Sequence, residues 1–205
     1  MIEGPAPIEI QNKRIILEPF EVVWNRLVGE LSKSFFVINN IEKESRLINL
    51  SFRANDPESY IDCGRTTRTY KDEVFNYQVA EDAQFKHSKQ LGSNAYGDYV
   101  LNRNTEIEGR MNVYVAPDGD RATRVSVNCR YIFNVDVTGS YQAIGGALKI
   151  VQGAGSVEPE HYSMSFNTGP PTTDHWGPPG DTVPVTCGSN GTLETAVLDM
   201  AEGGA

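Results

Sequence analysis

The chain has few of the residues that several common functions require. Its 205 residues include three cysteines and three histidines, and its 18 Lys and Arg residues are outnumbered by 27 Asp and Glu residues, for a net charge of −9. No run of basic residues is present, although a protein that binds nucleic acid needs clustered Lys and Arg to displace the counterions of the phosphates. No segment reaches the roughly 18 consecutive apolar residues of a membrane-spanning helix. We therefore expect a folded, acidic protein that binds no nucleic acid.

Sequence motifs for catalysis, for metal binding and for nucleotide binding are also missing. His87, His161 and His175 are scattered, and no two cysteines lie at the spacing of a zinc ribbon. The glycines form no phosphate-binding loop. The spacing of residues along the sequence indicates no catalytic site that combines a nucleophile, a base and an oxyanion stabiliser. We therefore expect a protein without enzymatic activity, metal or cofactor.

A helix is predicted between about Pro19 and Lys33. Pro19 suits the first helical turn, where its missing N–H has no intrahelical partner to lose, and Glu21 complements the positive end of the helix. Apolar residues recur there at spacings of three and four, at Phe20, Val23, Trp24, Leu27, Val28 and Leu31. A second, shorter helix is predicted from Thr192 to Ala201.

Two hairpins are predicted in addition. Residues 35–41 and 47–52 form the first, and a Pro-Asp-Gly turn within residues 116–120 begins the second. The return strand of the second hairpin carries apolar side chains at every odd position, namely Val125, Val127, Cys129, Tyr131, Phe133, Val135 and Val137. Strict alternation is typical of a strand with one buried face. The pattern therefore assigns Cys129 to the core.

The composition divides the chain into a leader, residues 1–13, and a single α+β domain, residues 14–205. Within the domain, two segments, at about residues 84–105 and at residues 139–181, are rich in Gly, Ser, Asn, Thr and Pro. The apolar residues of both segments show weak periodicity. We interpret these two segments as long loop insertions. Long loops in a small domain are usually functional or disordered, so we expect them to contact a partner.

Cys63 and Cys187 are candidates for a disulfide. Each ends an extended segment and each precedes a glycine, so the two could meet at one edge of a sheet if the protein is exported. The alternative is that both stay reduced. Three cysteines leave at least one thiol unpaired in either case.

Three aromatic residues of the second predicted loop, Tyr162, Phe166 and Trp176, are candidate partner contacts. Aromatic side chains are favoured anchors of protein interfaces. Trp176 lies between Pro-rich segments, where it either contacts a partner or packs its loop onto the body of the domain. The sequence leaves both alternatives open.

The order of these elements matches the helix-grip layout, in which a helix lies across the concave face of a curved antiparallel sheet. Particular segments resemble bacterial outer-membrane lipoproteins of the BamC type, which carry a helix with a central Trp, a hairpin and often an Asp-Cys-Gly sequence. The segments that carry the resemblance are residues 19–28 (PFEVVWNRLV), 36–48 (FVINNIEKESRLI), 60–64 (YIDCG) and 186–194 (TCGSNGTLE). The expected fold class is therefore α+β, a helix-grip-like curved antiparallel sheet packed by an N-terminal helix and a short C-terminal helix.

The resemblance also implies a location and a role. It implies an exported, non-enzymatic accessory or structural component of a complex, periplasmic and associated with the outer membrane, whose partners are other envelope proteins. Members of this group are anchored by a lipid on a cysteine at the mature N-terminus. No cysteine lies near Met1, so we expect membrane contact only through a lipid anchor absent from this chain.

An alternative function is that of a carrier for a lipid or another small apolar ligand. Helix-grip proteins of the START and Bet v 1 type hold such ligands between helix and sheet, which in this chain would be the groove under Trp24. A carrier needs a cavity on the order of 300–1,000 Å³. The apolar side chains of the second hairpin are large enough to fill that space. The sequence therefore favours the interaction module, with the carrier as the alternative.

Overall fold

The computed structural model describes residues 2–6, 8–70, 73–92, 95–145, 150–177, 180 and 182–204. Strands account for 61% of the structure and helices for 14%. In chain order the elements are β1 (Ile2–Glu3), β2 (Lys13–Ile16), α1 (Phe20–Leu31), β3 (Val37–Glu42), β4 (Leu47–Ala54), β5 (Ile61–Asp62), β6 (Arg65–Tyr70), β7 (Glu73–Gln78), β8 (Ala83–Gly92), β9 (Ala95–Pro117), β10 (Thr123–Gly145), β11 (Ile150–Asn167), β12 (Thr172–Trp176), β13 (Val183–Ser189) and α2 (Thr192–Glu202). One turn of 3₁₀ helix, Pro57–Ser59, separates β4 from β5.

Helix α1 forms where the spacing of apolar residues predicts it. Residues three and four apart are neighbours on a helix surface, and the residues of α1 that are buried on this face are Val23, Trp24, Leu27 and Leu31. Ser32 and Ser34 follow the last turn of α1. The Ser32 hydroxyl donates a hydrogen bond to the carbonyl oxygen of Gly29, and the Ser34 hydroxyl donates to that of Leu31. The buried face of α1 packs against α2 and against β9.

One antiparallel sheet of seven strands carries most of the core. Its order is β11-β10-β9-β4-β3, with β2 also paired to β10 and β8 also paired to β9. Strands β9 and β10 form a hairpin of 23 residues each, paired from Thr123↔Pro117 to Gly145↔Ala95. The odd-numbered side chains of β10 from Val125 to Val135 are at most 2% exposed. The prediction of one buried face is therefore confirmed.

The far part of this sheet forms an arm, defined as residues 83–92, 95–104, 138–145 and 150–158. Here β8, β9, β10 and β11 lie side by side in that order. No described residue of the arm belongs to the hydrophobic core. Because a strand rises about 3.3 Å per residue, the segment from Thr138 to Gly145 extends the sheet by about 23 Å.

The prediction of loops at residues 84–105 and 139–181 is wrong for most of the residues that the structure describes. Strand β8 and the first half of β9 occupy the first segment. The end of β10, together with β11 and β12, occupies the second. One face of the arm is only partly buried and the other is exposed, so the apolar alternation of a strand that packs on a core is weak there. Residues 93–94, 146–149, 178–179 and 181 lie outside the described residues.

The predicted α+β helix-grip fold is also wrong. The structure is mostly β, with two helices and several antiparallel sheets. Two sheets of three strands, β1-β6-β7 and β12-β13-β5, accompany the main sheet. The helices pack against each other, and no described residue of the arm belongs to the hydrophobic core that the helices cover. The helix and the first hairpin were recognisable from apolar periodicity, whereas the polar strands that decide the fold class were not.

The segment predicted as a leader is attached to the body of the protein. Strand β1 pairs with β6 through Ile2↔Thr66 and Glu3↔Arg65. The backbone carbonyl oxygen of Asn12 accepts a hydrogen bond of 2.8 Å from the backbone N–H of Val127. Asn12 directly precedes β2, which pairs with β10. The N-terminal residues therefore contribute to two sheets.

Candidate functional site

Cys63 and Cys187 form the predicted disulfide, which is confirmed. Their Cα atoms lie 4.0 Å apart, and the bond joins positions 124 residues apart in the sequence. Both sulfurs are buried, since Cys63 is 2% and Cys187 0% exposed. The chain-entropy estimate for so long a loop is about 4–5 kcal/mol of stabilisation. Structural disulfides are typical of oxidising compartments, which indicates a location outside the cytoplasm.

A buried carboxylate, that of Glu194, lies in the first turn of α2 and is fully inaccessible to solvent. Tyr131 donates a hydrogen bond to it at 2.9 Å, Thr168 donates at 2.5 Å and Ser189 donates at 3.0 Å. No Lys, Arg or His among the described residues lies within 4 Å of this carboxylate. Three hydroxyl donors therefore take the place of an ion pair, as a buried carboxylate requires.

The thiol and phenol beside this carboxylate are held in their neutral forms. Burial is the largest cause that raises the pKa of the Cys129 thiol, and the negative charge of Glu194 adds to it. Burial also raises the pKa of the Tyr131 phenol well above its usual range. A thiol acts as a nucleophile only as the thiolate. Cys129 is therefore suited to packing, and the hydroxyl network holds α2 on the main sheet.

Sequence reasoning missed Glu194 as a buried residue. The signal was present, because Glu194 shares the helix face of Val197, Leu198 and Ala201, all of which are buried. A glutamate on the apolar stripe of a helix indicates a buried polar contact.

A cavity of about 320 Å³ lies where the arm joins the body. It is lined mainly by apolar and aromatic side chains, among them Tyr77, Val79, Phe85, Leu101, Val135, Val137, Tyr162, Trp176, Val183 and Val185. Arg103 also lines it, and this buried guanidinium donates to the backbone carbonyls of Val79 and Glu81. The same guanidinium lies 5.6 Å from the centre of the Tyr77 ring, a cation–π distance.

The three predicted partner contacts lie in or beside the core. Trp176 is 9% exposed and stacks on Tyr162 at 5.4 Å, so it packs its segment onto the body, the second of the two alternatives. Phe166 is 3% exposed and stacks on Tyr131 at 5.3 Å. Tyr162 is half-buried and donates a hydrogen bond of 2.5 Å to Glu160. Trp176 and Phe166 are therefore packed within the chain, and contact of these residues with a partner stays a prediction.

The groove predicted under Trp24 is filled. Trp24 is 4% exposed, and Val23, Leu27 and Leu31 are 0% exposed. Among the described residues, the side chains on this face of α1 are therefore packed into the core.

The histidines are separate from one another. Nδ1 of His161 lies 2.7 Å from a carboxylate oxygen of Asp136 on the exposed side of the sheet, and His87 stacks on Tyr99 with ring centres 4.9 Å apart. Within the part of the chain that the structure describes, no three or more His, Cys, Asp and Glu side chains are grouped so that they could hold a metal ion. Neither described helix has the length and apolar character needed to span a bilayer.

Comparisons with known proteins assign no family to this chain. No family model matches it, and searches of curated proteins and of solved structures gave no match. Its function is therefore argued from the contacts, burial and charge of its own residues.

Proposed function

We propose that this chain is a non-catalytic component of an envelope protein complex, associated with the outer membrane, that contacts its neighbours through a sheet edge of the arm. The observation that carries the proposal is the edge of β11 at residues 150–157, which among the described residues pair only with β10. An exposed strand edge presents free N–H and C=O groups that can pair with a strand of another chain. The disulfide supports a location outside the cytoplasm.

The two edges of the arm differ in charge. Strand β8 carries Lys86 and Lys89, and lysines on an edge strand discourage pairing with another chain. Residues 150–157 of β11 carry neither charge nor proline, and Val151 is 56% exposed. The charged sequence Glu158-Pro159-Glu160 follows directly. The β11 edge of the arm is therefore the edge left open for a partner strand.

A row of aromatic rings stiffens the arm. His87, Tyr99 and Tyr141 come from three neighbouring strands, and the rings of Tyr99 and Tyr141 are 5.7 Å apart. The Tyr141 ring lies over Gly155 of β11, so close that a Cβ atom there would be 2.8 Å from it. An aromatic ring packed over a glycine compensates for the missing side chain in a strand. A stiff arm lowers the entropy lost when its edge is bound.

The test uses charged variants of the two edges. Ala154→Lys with Ser156→Lys places two charges at exposed positions of the β11 edge, and Gln84→Lys with Gln90→Lys places two on the β8 edge as the matched control. Each tagged protein is used for affinity capture from an envelope extract, with quantitative mass spectrometry. We expect at least one protein whose recovery falls about tenfold with the β11 variant alone. Equal recovery with both variants, or no specific capture by the unmodified protein, contradicts the proposal.

A second candidate function is binding of a small apolar ligand, and the cavity at the root of the arm favours it. Its volume of about 320 Å³ lies at the lower end of the range for ligand sites. Because Trp176 lines the cavity, a bound fluorescent probe such as N-phenyl-1-naphthylamine should change tryptophan emission. Val137→Phe should abolish that change by filling the cavity, and Val100→Phe, which adds the same ring outside it, should not. Absence of probe binding by the unmodified protein rejects this candidate.

A further inference from the structure

Two arginines lie directly opposite one another on the outer face of the main sheet, the face turned away from the helices. Arg110 of β9 and Arg130 of β10 are Cα partners, and both side chains are exposed. Among the described residues no carboxylate lies within 4 Å of either guanidinium. Like charges directly opposite in an antiparallel pair repel each other. This pair is therefore unfavourable on its own and becomes favourable when an anion lies between the two groups.

The local charge is opposite to that of the whole chain. The net charge is −9, and carboxylates elsewhere in the chain pair with Arg14 and Arg26. The depression that contains the two arginines is lined by Arg110, Arg130, a single glutamate, Glu108, and Arg53, whose charge is compensated by Glu106. It is thus a locally cationic surface on an acidic protein, and such a surface attracts anionic ligands.

A row of asparagines runs beside the arginines. The register places one asparagine from each of four neighbouring strands in line across the outer face, and these are Asn40, Asn49, Asn112 and Asn128. Asn12 extends the row, because its side-chain amide donates to that of Asn128 at 3.1 Å. Each asparagine offers both hydrogen-bond donors and an acceptor. The row therefore suits a ligand with many groups that both donate and accept hydrogen bonds, which is the chemistry of hydroxyls.

Apolar side chains border the same depression. Val37 lies in the same cross-strand row as Arg110, through Ser51, and is 59% exposed. Phe35 also lines the depression and is 52% exposed. The depression has a volume of about 1050 Å³, which is too large for a single small ion and sufficient for several linked rings. The exposed Phe35 ring offers an apolar face of the kind that packs on flat ligand surfaces.

We propose that the outer face binds an acidic oligosaccharide, with Arg110 and Arg130 on a carboxylate of a uronic acid unit, the asparagine row on its hydroxyls and Phe35 against a sugar ring. Guanidinium groups bind carboxylates in a bidentate manner. An acidic peptide would also pair with the arginines, and its backbone N–H and C=O groups would pair with the amides, so hexaglutamate is the competing ligand in the test. The site is separate from the arm edge, so the proposal does not depend on the proposed function.

The first test measures binding of a galacturonic acid hexamer to the full chain by calorimetry, with its methyl ester as the matched ligand. The ester keeps the hydroxyls and loses the charges. We expect binding of the acid that weakens with added salt, and binding of the ester and of hexaglutamate at least about tenfold weaker. No binding of the acid, or equal binding of the acid and hexaglutamate, overturns the proposal.

The second test measures binding by variants with the same hexamer. Arg110→Ala and Arg130→Ala should each weaken binding about tenfold or more, because each removes charged hydrogen bonds. Asn112→Ala should weaken it about three- to tenfold, since it removes neutral ones. Arg121→Ala, in the turn between β9 and β10, is the control and should bind as the unmodified chain does. All four positions are exposed, and near-UV circular dichroism checks the fold. An equal loss in the control overturns the proposal.

Discussion

Tyr131 donates a hydrogen bond to the carboxylate of Glu194 over 2.9 Å, and both side chains are completely buried. The contact joins β10 to the first turn of α2. It gives the short helix α2 a fixed position that its apolar stripe alone would not define, since a polar contact is directional and apolar packing is not.

Loss of this contact should destabilise the protein measurably. Tyr131→Phe keeps the ring and removes one of the three hydroxyl donors of Glu194, so we expect a decrease of about 1–3 kcal/mol in the free energy of unfolding. Urea unfolding followed by circular dichroism measures it. Thr195→Ala, at an exposed position of the same helix, is the control and should change stability by less than about 0.5 kcal/mol. A Tyr131→Phe protein as stable as the control would contradict the assignment of the network.

The disulfide predicts a defined pattern of thiol reactivity. Unfolded protein without reductant should react with one equivalent of iodoacetamide, at Cys129, because Cys63 and Cys187 are joined. Folded protein should react with none, because Cys129 is 2% exposed. Mass spectrometry of peptides locates the label. Labelling of Cys63 or Cys187 before reduction is incompatible with the disulfide.

Removal of the disulfide should lower stability strongly. The double variant Cys63→Ser with Cys187→Ser should lose about 4–5 kcal/mol in the chain-entropy estimate, seen as a lower midpoint of urea unfolding. Cys129→Ser is a control for loss of a thiol at a buried position that is not cross-linked. A double variant as stable as the unmodified chain would contradict a structural role for the bond.

Stability should fall at alkaline pH. The pKa values of Cys129 and Tyr131 are raised in the folded protein, so between the unfolded and the folded pKa the folded state binds more protons than the unfolded state. Stability is then full below the unfolded values, about 8.5 for Cys and 10 for Tyr, and is lost as pH rises above them. Each group contributes a slope of about 1.4 kcal/mol per pH unit.

The variant Cys129→Ala isolates the thiol contribution to this pH dependence. Between about pH 8.5 and 10 its urea midpoint should fall less steeply with pH than that of the unmodified chain. Equal slopes for the two proteins would show that the thiol titrates alike in the folded and unfolded states.

Gly109 is required for close contact within the main sheet. A Cβ atom there would lie 2.5 Å from the carbonyl oxygen of Arg130 and 2.7 Å from the ring of Phe52. Because the first of these is backbone and cannot move freely, Gly109→Ala should destabilise by about 1–3 kcal/mol. Gly153→Ala, where nothing lies within 4 Å of the added Cβ, is the matched control. Thermal unfolding compares the two, and equal midpoints would be inconsistent with the contact.

The features that sequence reasoning found are those that produce a local apolar pattern. The stripe of α1, the alternation from Val125 to Val135 and the burial of Cys129 are all visible within one segment. The arm gave no such pattern, because neither of its faces is buried in the hydrophobic core. The helix-grip assignment failed for this reason, since the segments treated as loops extend the sheet.

The candidate sites depend on register, which joins residues far apart in the sequence. Asn40 and Asn128 share a row, and Arg110 lies opposite Arg130, only once β3, β4, β9 and β10 are paired. A shift of one residue would turn these side chains to the other face. Composition shows that asparagines and arginines are present and cannot show that they are aligned.

Hydrogen exchange at the β11 edge tests the central claim most directly. Deuterium uptake of residues 150–157 is measured in the isolated full chain and in the complex recovered from the envelope, with α1 as the internal reference. We predict slower exchange of this edge in the complex and unchanged exchange in β8, because a partner strand pairs with the free groups of β11 alone. Equal uptake of residues 150–157 in the two states would contradict the account.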